Sequence, residues 1–338
     1  MKALQITAPG EVAVVEVPEP QPEPGELLLR VQMVGMCGSD LNTFRGKNPL
    51  VSYPRILGHE IAASVEDAQG SSDLPPGTQV TVSPYTNCGW CSACLAGRAN
   101  ACQSNQTFGV QRDGALAEFI AVSRERIFYA PTLGLEELAL VEPLTIGFHA
   151  VARGRVRSGD TVAVFGSGGV GLGAISGAAR RRAIVIGIDV DDAKLSLAAA
   201  AGAKFTINSN REPLHERLQE LTNGVGPNVS IEAIGLPLTF RAAVDETAFC
   251  GRVVYIGYAK EPVCYETRFF VQKELDILGS RNALPDDFRA VIAMLQAREF
   301  PVQAVISRTV SLEHAGDALR DWSADPARFS KILVRVAD

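Results

Sequence analysis

The sequence predicts an α/β protein with two units, one rich in β-strands and one built around a doubly wound parallel sheet. At 338 residues the chain exceeds the usual size of a single domain, which is about 100–150 residues. Segments that alternate apolar and polar residues fill its first third, whereas strand-like and helix-like segments alternate from about residue 148. We therefore expect a discontinuous domain at 1–147 and 279–338, with the second domain, 148–278, inserted between its parts.

The first domain is predicted to be largely antiparallel β-structure. Prolines at 18, 20, 22 and 24 forbid a helix and predict an extended loop between two early strands. Further short strands are expected at 61–65, 79–83 and 119–122. Two helices and a last strand are expected near the carboxyl end, at 286–297, 312–322 and 331–337. The strands and turns of the first third together indicate a closed or nearly closed antiparallel unit.

The second domain is predicted to alternate strands with helices. Its strand-like segments are TVAVF, AIVIGID, KFTIN, NVSIEAIG and RVVYIGY, and helical patterns separate them. Because helical crossovers join successive strands, the sheet should be parallel and covered on both faces. The segment RVVYIGY is also a candidate for pairing across a dimer axis.

The composition argues against several classes of function. A net charge of −6 is the opposite of what a nucleic-acid binder needs. The stretch 161–179 has 19 uncharged residues, but its six glycines and its strand–turn–helix pattern predict a soluble unit rather than a membrane span. MKALQITAPG lacks the apolar core of a secretory signal. We therefore expect a cytoplasmic protein with neither a membrane nor a nucleic-acid partner.

A glycine-rich fingerprint predicts a dinucleotide site of the Rossmann type. Gly166, Gly168 and Gly171 form G-x-G-x-x-G directly after TVAVF and open a helix, where the pyrophosphate meets the helix N-terminus. Asp189 ends the next strand, 18 residues beyond Gly171, and an acidic side chain there favours NAD over NADP. The predicted cofactor-binding residues are Gly166, Gly168, Gly169, Val170, Gly171 and Asp189.

Four cysteines close together predict a structural zinc site. Cys88, Cys91, Cys94 and Cys102 have the spacing C-x2-C-x2-C-x7-C, which suits tetrahedral coordination of Zn²⁺ by four thiolates. Such a closed site would fold a loop rather than catalyse. Two disulfides or an iron–sulfur cluster are alternatives that the spacing leaves open.

A second, dispersed set of residues predicts a zinc site with an open position. Its members are Cys37 in GMCGSD, His59 and Glu60 in LGHE, and Glu142 in LVEPL. Taken alone, Cys37 could be a buried apolar side chain, His59 a turn residue, and Glu142 a cap on a helix that begins at Pro143. Glu142 nevertheless lies in an otherwise apolar run, where a carboxylate is costly to bury unless it is paired or bound to a metal.

Taken together and in order, MCGSD, LGHE, the four-cysteine loop, VEPL and GxGxxG resemble the zinc-dependent medium-chain alcohol dehydrogenases over essentially the whole chain. The resemblance is greatest to the polyol and sugar-acid branch, particularly to bacterial L-galactonate and L-gulonate 5-dehydrogenases. It implies a GroES-like catalytic domain beside the Rossmann domain, two zinc ions per chain, and a homodimer or homotetramer. The catalytic zinc would be held by Cys37 and His59 with Glu60 or Glu142.

The resemblance also implies roles in the reaction, which would be oxidation of a secondary hydroxyl by NAD. Ser39 matches the residue that relays the substrate proton, and Asp40 matches the acid beside the histidine ligand. Asn42 departs from the pattern because many relatives have a histidine there, so the proton exit is unassigned. For the carboxylate and a hydroxyl of a sugar acid we expect Arg281 and Asn282. A polyol substrate, zinc-free quinone or enone reduction, and a zinc-stabilised regulator that binds NAD are the alternatives.

Overall fold

The computed structural model describes residues 1–337, which form strands and helices throughout. The sixteen strands of this described part are β1 (Lys2–Ala8), β2 (Glu11–Glu16), β3 (Glu26–Gly35), β4 (Arg55–Ile56), β5 (Glu60–Asp67), β6 (Gln79–Val82), β7 (Phe119–Ser123), β8 (Ile127–Tyr129), β9 (Thr161–Phe165), β10 (Ile184–Asp189), β11 (Phe205–Asn208), β12 (Val229–Glu232), β13 (Arg252–Tyr255), β14 (Asp276–Gly279), β15 (Ile306–Ser311) and β16 (Lys331–Arg335). The α-helices are α1 (Gly38–Phe44), α2 (Ser92–Leu95), α3 (Leu135–Arg153), α4 (Gly169–Arg180), α5 (Asp192–Ala200), α6 (Leu214–Leu221), α7 (Pro237–Glu246), α8 (Arg268–Gln272), α9 (Pro285–Gln296), α10 (Val302–Val305) and α11 (Ala315–Ala324).

The chain divides into two compact units, each of them discontinuous. The first comprises Met1–Glu142, Leu284–Ala297 and the chain from Val302 onward, and the second comprises Pro143–Ala283 and Arg298–Pro301. The sequence-based boundaries at 147 and 279 therefore differ by five residues each from the structural ones at 142 and 284. The short return of 298–301 to the second unit has no counterpart in the sequence-based division.

The first unit is built on two sheets. One has the order β2-β1-β4, and the other has the order β15-β16-β3-β5-β6-β8, with β7 paired to β3. Strand β3 is the longest and alternates half-buried with buried residues over most of its length, as expected of a strand with one face on a core. Its partner β5 meets it antiparallel, and the register brings Gly35 opposite Glu60. The last strand, β16, pairs with β3 on the other side, so three distant segments of sequence meet at the end of β3.

The second unit is a six-stranded parallel sheet with the order β11-β10-β9-β12-β13-β14. This corresponds to the doubly wound order 3-2-1-4-5-6, and the order reverses between β9 and β12. Apolar residues of the strands and of the helices beside them form a core cluster, which includes Phe165, Ile186 and Val253 of the strands. The largely antiparallel sheets of the first unit and the parallel doubly wound sheet of the second agree with the α/β fold class that the sequence predicts.

Three details of the fold bear on alternatives or segments that the sequence left open. Helix α3 is continuous from Leu135 to Arg153 with Pro143 inside it, so Glu142 is an interior helical residue and not the cap of a helix. The segment RVVYIGY contributes β13, which pairs with β12 on one side and β14 on the other and therefore has no open edge. Strand β14 was not expected, because its four residues DILG carry no alternating pattern. Within residues 1–337, no helix is long and apolar enough to cross a bilayer.

Candidate metal centres and dinucleotide site

Cys37, His59 and Glu60 lie together at the end of β3. Cys37 precedes α1 directly after β3, and Glu60 begins β5 directly after His59. The ligand atoms of the three side chains all lie within 4.8 Å of one another. A thiolate, an imidazole and a carboxylate so close together fit a zinc ion chemically, and three protein ligands leave one tetrahedral position open. The structure thus brings together three of the four residues predicted for the dispersed site.

Asp40 is positioned beside this cluster by the first turn of α1. Its Oδ2 accepts a hydrogen bond from the backbone N–H of Cys37 at 2.8 Å, and its Oδ1 lies 4.0 Å from Nδ1 of His59. Both Oδ1 and Nδ1 are buried without a hydrogen-bond partner among residues 1–337. Burial raises the pKa of Asp40. Burial alone would lower the pKa of His59, but the neighbouring Cys37 and Asp40 raise it well above its ordinary value.

Lys331 forms a buried ion pair with Glu60 that the sequence did not reveal. Its Nζ lies 2.6 Å from Oε1 and 2.5 Å from Oε2 of Glu60, and it also donates to the carbonyl of Met36 at 3.1 Å. The two side chains are only 6% and 1% exposed. Burial alone would lower the pKa of Lys331, but the carboxylate of Glu60 raises it above its ordinary value. The one available signal was a single lysine at the start of the apolar strand KILV.

Gly35 makes room for the Glu60 carboxylate. It faces Glu60 across the β3–β5 pair, and a Cβ at this position would overlap Oε2 of Glu60. The absence of a side chain at residue 35 therefore allows the carboxylate to lie flat against β3, next to Lys331.

Glu142 lies near this cluster without belonging to the group of mutually close ligand atoms found in residues 1–337. The hydroxyl of Tyr85 donates a hydrogen bond to its Oε1. Burial raises the pKa of Glu142 to about 7, although the charge of His59 opposes the shift. Burial and the adjacent carboxylate also raise the pKa of Tyr85 well above its ordinary value. Tyr85 is a second neighbour that sequence reasoning missed, since YTNC carried no pattern beyond the cysteine.

The two residues considered for proton transfer both lie on α1. Ser39 is half-buried, and its Oγ has no hydrogen-bond partner among residues 1–337. Asn42 is also half-buried, one turn further along the helix. A serine hydroxyl can both accept and donate a proton, whereas an asparagine amide does not titrate near neutral pH.

The four cysteines of the predicted structural site come together in one short segment. The Sγ atoms of Cys88, Cys91, Cys94 and Cys102 lie within 4.8 Å of one another. Sγ of Cys91 is 3.5 Å from that of Cys94 and 3.9 Å from that of Cys102, which are non-bonded separations. The backbone N–H of Cys91 donates a hydrogen bond to Sγ of Cys88. Backbone N–H donors of this kind favour the thiolate form, and those that bond Sγ of Cys91 lower its pKa to about 6.

The segment around these cysteines has almost no apolar core of its own. The four residues of α2 include none that is buried, while Trp90 and Leu95 are 75% and 77% exposed. A loop that buries so little apolar surface needs another source of stability, and a tetrahedral Zn²⁺ bound by four thiolates would supply it.

The glycine fingerprint forms the turn between β9 and α4. Gly166 has φ +97°, and a Cβ at Gly171 would overlap the carbonyl of Gly166, so both positions require glycine. At Gly168 and Gly169, in contrast, a Cβ would meet no atom within 4 Å, which leaves open space beside the N-terminus of α4. Val170 follows in the first turn of that helix. This shape fits a pyrophosphate.

Asp189 ends β10 beside the fingerprint turn and is buried. Its Oδ2 accepts the backbone N–H of Ser167 at 2.8 Å, and its Oδ1 accepts the N–H groups of Val190 and Asp191. The carboxylate is thereby fixed next to the turn, with lone pairs left for a further donor.

Arg281 and Asn282 follow β14 at the end of the second unit. Arg281 is exposed and Asn282 is half-buried, with a φ of +51°. Their role toward a substrate stays a prediction.

Family descriptions match both units of the chain. "Alcohol dehydrogenase GroES-like domain" matches residues 23–132, and "Zinc-binding dehydrogenase" matches residues 169–297. The chain belongs to the zinc-type medium-chain alcohol dehydrogenase family, which confirms the resemblance found in its motifs.

Three curated relatives align over most of the chain. An uncharacterized zinc-type alcohol dehydrogenase-like protein of Haemophilus influenzae is 35% identical, over 98% of both chains. The L-galactonate-5-dehydrogenase of Escherichia coli is 33% identical over 86% of both. A sorbitol dehydrogenase of Bacillus subtilis is 32% identical over 94% of this chain and 92% of its own.

Two solved structures have the same fold. An alcohol dehydrogenase of Escherichia coli complexed with NADH has a TM-score of 0.92 at 29% identity, with 99% of both chains covered. A zinc-binding dehydrogenase of Sinorhizobium meliloti bound to NADP has a TM-score of 0.90 at 31% identity and the same coverage.

Proposed function

We propose that this protein is a zinc-dependent dehydrogenase that oxidises a secondary hydroxyl of a sugar acid or polyol with NAD. The observation that carries the proposal is the cluster of Cys37, His59 and Glu60, whose ligand atoms are close enough to share one ion. Zinc bound there supplies Lewis acidity toward the substrate oxygen, and NAD supplies the acceptor for the hydride.

The residues around the cluster bind, orient and transfer the proton. Cys37 and His59 would hold the metal, and Asp40 faces the imidazole at 4.0 Å, beyond hydrogen-bond distance, so it would act on the ring through its charge. Ser39 takes the proton of the substrate hydroxyl on its Oγ, which has lone pairs that no group among residues 1–337 uses. The proton leaves Ser39 by a route that does not use residue 42, since Asn42 cannot carry it.

The third ligand would be a carboxylate, and the two candidates have different hydrogen-bond partners. Glu60 lies in the cluster, but Lys331 bonds to both of its oxygens. Glu142 has Tyr85 on one oxygen and burial raises its pKa to about 7, so a nearby cation would favour its charged form. We therefore propose that Glu60 and Glu142 both serve as ligands, each of them directly or through a water molecule.

Asp189 supports NAD as the preferred cofactor. The carboxylate is buried at the end of β10, fixed by three backbone N–H groups, so it cannot swing away from a ribose. It would accept hydrogen bonds from ribose hydroxyls and would repel a 2′-phosphate.

The substrate class is proposed from the relatives and from chemistry. The relatives include an L-galactonate-5-dehydrogenase, whose name indicates a sugar acid, and a sorbitol dehydrogenase, whose name indicates a neutral polyol. We favour a hexonate of the L-galactonate, L-gulonate or L-idonate type, with Arg281 for its carboxylate and Asn282 for a hydroxyl. A polyol such as sorbitol or galactitol is the second candidate.

The test is a panel of hexonates, polyols and simple alcohols, assayed with NAD and with NADP by the absorbance of the reduced cofactor. We expect turnover of at least one hexonate with NAD and two zinc ions per chain by metal analysis. Arg281→Ala should raise KM for a hexonate and leave KM for a polyol unchanged. Absence of turnover on the whole panel, with both metals bound, would overturn the proposal.

A further inference from the structure

Glu232 is a buried carboxylate that no part of the proposed function uses. It is the last residue of β12, and its register places it beside Phe165 of β9 and Tyr255 of β13. Its side chain is 0% exposed. It therefore lies at the carboxyl edge of the sheet, on the β12 side of the point where the strand order reverses, one strand away from the fingerprint turn.

One of its two oxygens is fully engaged and the other is not. Oε1 accepts hydrogen bonds from the N–H of Ile234 at 2.9 Å, the N–H of Gly235 at 2.8 Å and the hydroxyl of Thr239 at 2.7 Å. Oε2 has no hydrogen-bond partner among residues 1–337, and it lies against Gly257, where a Cβ would overlap it. No lysine, arginine or histidine of the described chain bonds to either oxygen.

The loop that Glu232 holds contacts the fingerprint turn. Cγ1 of Ile234 would lie 2.7 Å from a Cβ at Gly166, so the loop after β12 packs directly on the first glycine. A dinucleotide bound at such a turn lies across the reversal of strand order, with its adenosine toward the acidic residue of the second strand. Since that residue is Asp189 on β10, the nicotinamide half falls on the opposite side, toward β12 and β13.

Holding the loop does not require a charge. The amide oxygen of a glutamine in the same place would accept the same three hydrogen bonds. A buried carboxylate with one bare oxygen and no cation is costly, so its charge calls for a compensating partner. The nicotinamide ring of NAD carries a positive charge, and the ring of NADH does not.

We propose that Glu232 is a positioning residue whose charge favours the oxidised cofactor, so that this site binds NAD more tightly, relative to NADH, than a neutral site would. The inference rests on the proposed use of NAD. The carboxylate acts through space on the cationic ring and through Ile234 on the shape of the site. It thereby biases the enzyme toward oxidation of its substrate.

The experiment compares the dissociation constants of NAD and NADH by calorimetry and by quenching of protein fluorescence. The substitution Glu232→Gln removes only the charge. We expect it to raise the ratio of the dissociation constant of NAD to that of NADH by about tenfold, as for two charges that interact across partly screened protein. Thr239→Val is the matched control, because it removes one donor to Oε1 of Glu232 and leaves the charge. Its ratio of the NAD and NADH dissociation constants should equal that of the unmodified protein.

Thr239→Lys provides a second route if Glu232→Gln does not fold. A lysine beside the carboxylate supplies the missing cation. The ratio of the NAD to the NADH dissociation constant should therefore rise, as in Glu232→Gln, but by a smaller factor. An unchanged ratio in every folded variant that neutralises the charge would overturn the inference. Failure of the unmodified protein to bind either cofactor would instead overturn the proposed function.

Discussion

The two cysteine-containing centres of the first unit are constructed in opposite ways. Cys88, Cys91, Cys94 and Cys102 lie within fifteen consecutive residues, in a segment whose large apolar side chains are exposed. Cys37 lies just after β3, whereas His59 and Glu60 lie at the start of β5, and the lysine that pairs with Glu60 is 271 residues away in sequence. The first centre is local and would depend on a bound metal for stability, whereas the second is assembled by the sheet and supported by buried charges.

The two centres differ in the interactions that would stabilise them. The cysteine loop has almost no buried apolar surface to stabilise it, because α2 buries none of its residues, so its stability should come mainly from a bound metal. The dispersed centre lies on strands that pack into a large core, so its geometry exists before any ligand arrives. Substitutions at the two centres should therefore have different consequences.

The largest effect is expected from Lys331→Met. It leaves Glu60 charged and buried without its partner, which typically costs about 3–5 kcal/mol of unfolding free energy. Lys2→Met is the control, since the Lys2–Glu313 pair is exposed and its loss should cost less than about 1 kcal/mol. Both values come from denaturant unfolding. Equal losses for the two variants would mean that the dispersed centre is not supported by this ion pair.

Cys37→Ser and Cys102→Ser should separate activity from stability. We expect Cys37→Ser to lower kcat/KM by more than about 100-fold with little change in Tm, since even residues behind the ligands usually matter by 10–100-fold. We expect Cys102→Ser to reduce the zinc content from two ions to one and to lower Tm clearly. The contrast would collapse if Cys37→Ser lost as much thermal stability as Cys102→Ser.

The charge of Glu142 should appear in the pH dependence of the metal-free protein. Its pKa is raised to about 7 by burial, so the folded state binds a proton that the unfolded state, with a pKa near 4.5, releases earlier. Stability should therefore fall as the pH rises from about 4.5 to 7. Glu142→Gln should reduce that fall by about 1–3 kcal/mol, measured by urea unfolding across the range. The exposed Glu19→Gln should leave it unchanged, and an identical slope for Glu142→Gln would contradict the assignment.

The smallest effect is expected from Trp90→Ala in the cysteine loop. Because its side chain is 75% exposed, the unfolding free energy should change by no more than about 0.5 kcal/mol. Leu57→Ala, at a fully buried position two residues before His59, should cost about 2–5 kcal/mol. A large loss from Trp90→Ala would show that the loop has a partner surface that stabilises it.

The features that could be predicted from the sequence are mainly those formed by residues close together in the chain, and not those formed by distant segments. Strands such as TVAVF and the glycine turn were predictable because the pattern, the turn and the helix start are adjacent. The four-cysteine cluster was predictable for the same reason. The joining of Cys37 with His59 and Glu60 was proposed from the chemistry of their side chains and supported by the resemblance to a family, since no local pattern brings residue 37 to residue 59.

What remained hidden depends on pairing between distant segments. Lys331 reads as an ordinary residue of a terminal strand until β16 is placed against β3. The bare oxygen of Glu232 is equally invisible, because NVSIEAIG shows a strand but not which neighbours its last side chain has. The continuity of helix α3 was not predicted either, since a proline inside an apolar run suggests a boundary that tertiary packing overrides.

Gly35 ties two positions of this protein together during evolution. The Glu60 carboxylate occupies the volume that a Cβ at residue 35 would fill, so a side chain at residue 35 requires this carboxylate to move or to be replaced. Any descendant that acquires even alanine at 35 must shorten or redirect the acid at 60, and Lys331 would then face an empty space. Residues 35, 60 and 331 should accordingly vary as a group among homologous chains, and a bulky residue at 35 would mark those that have abandoned this arrangement behind the metal.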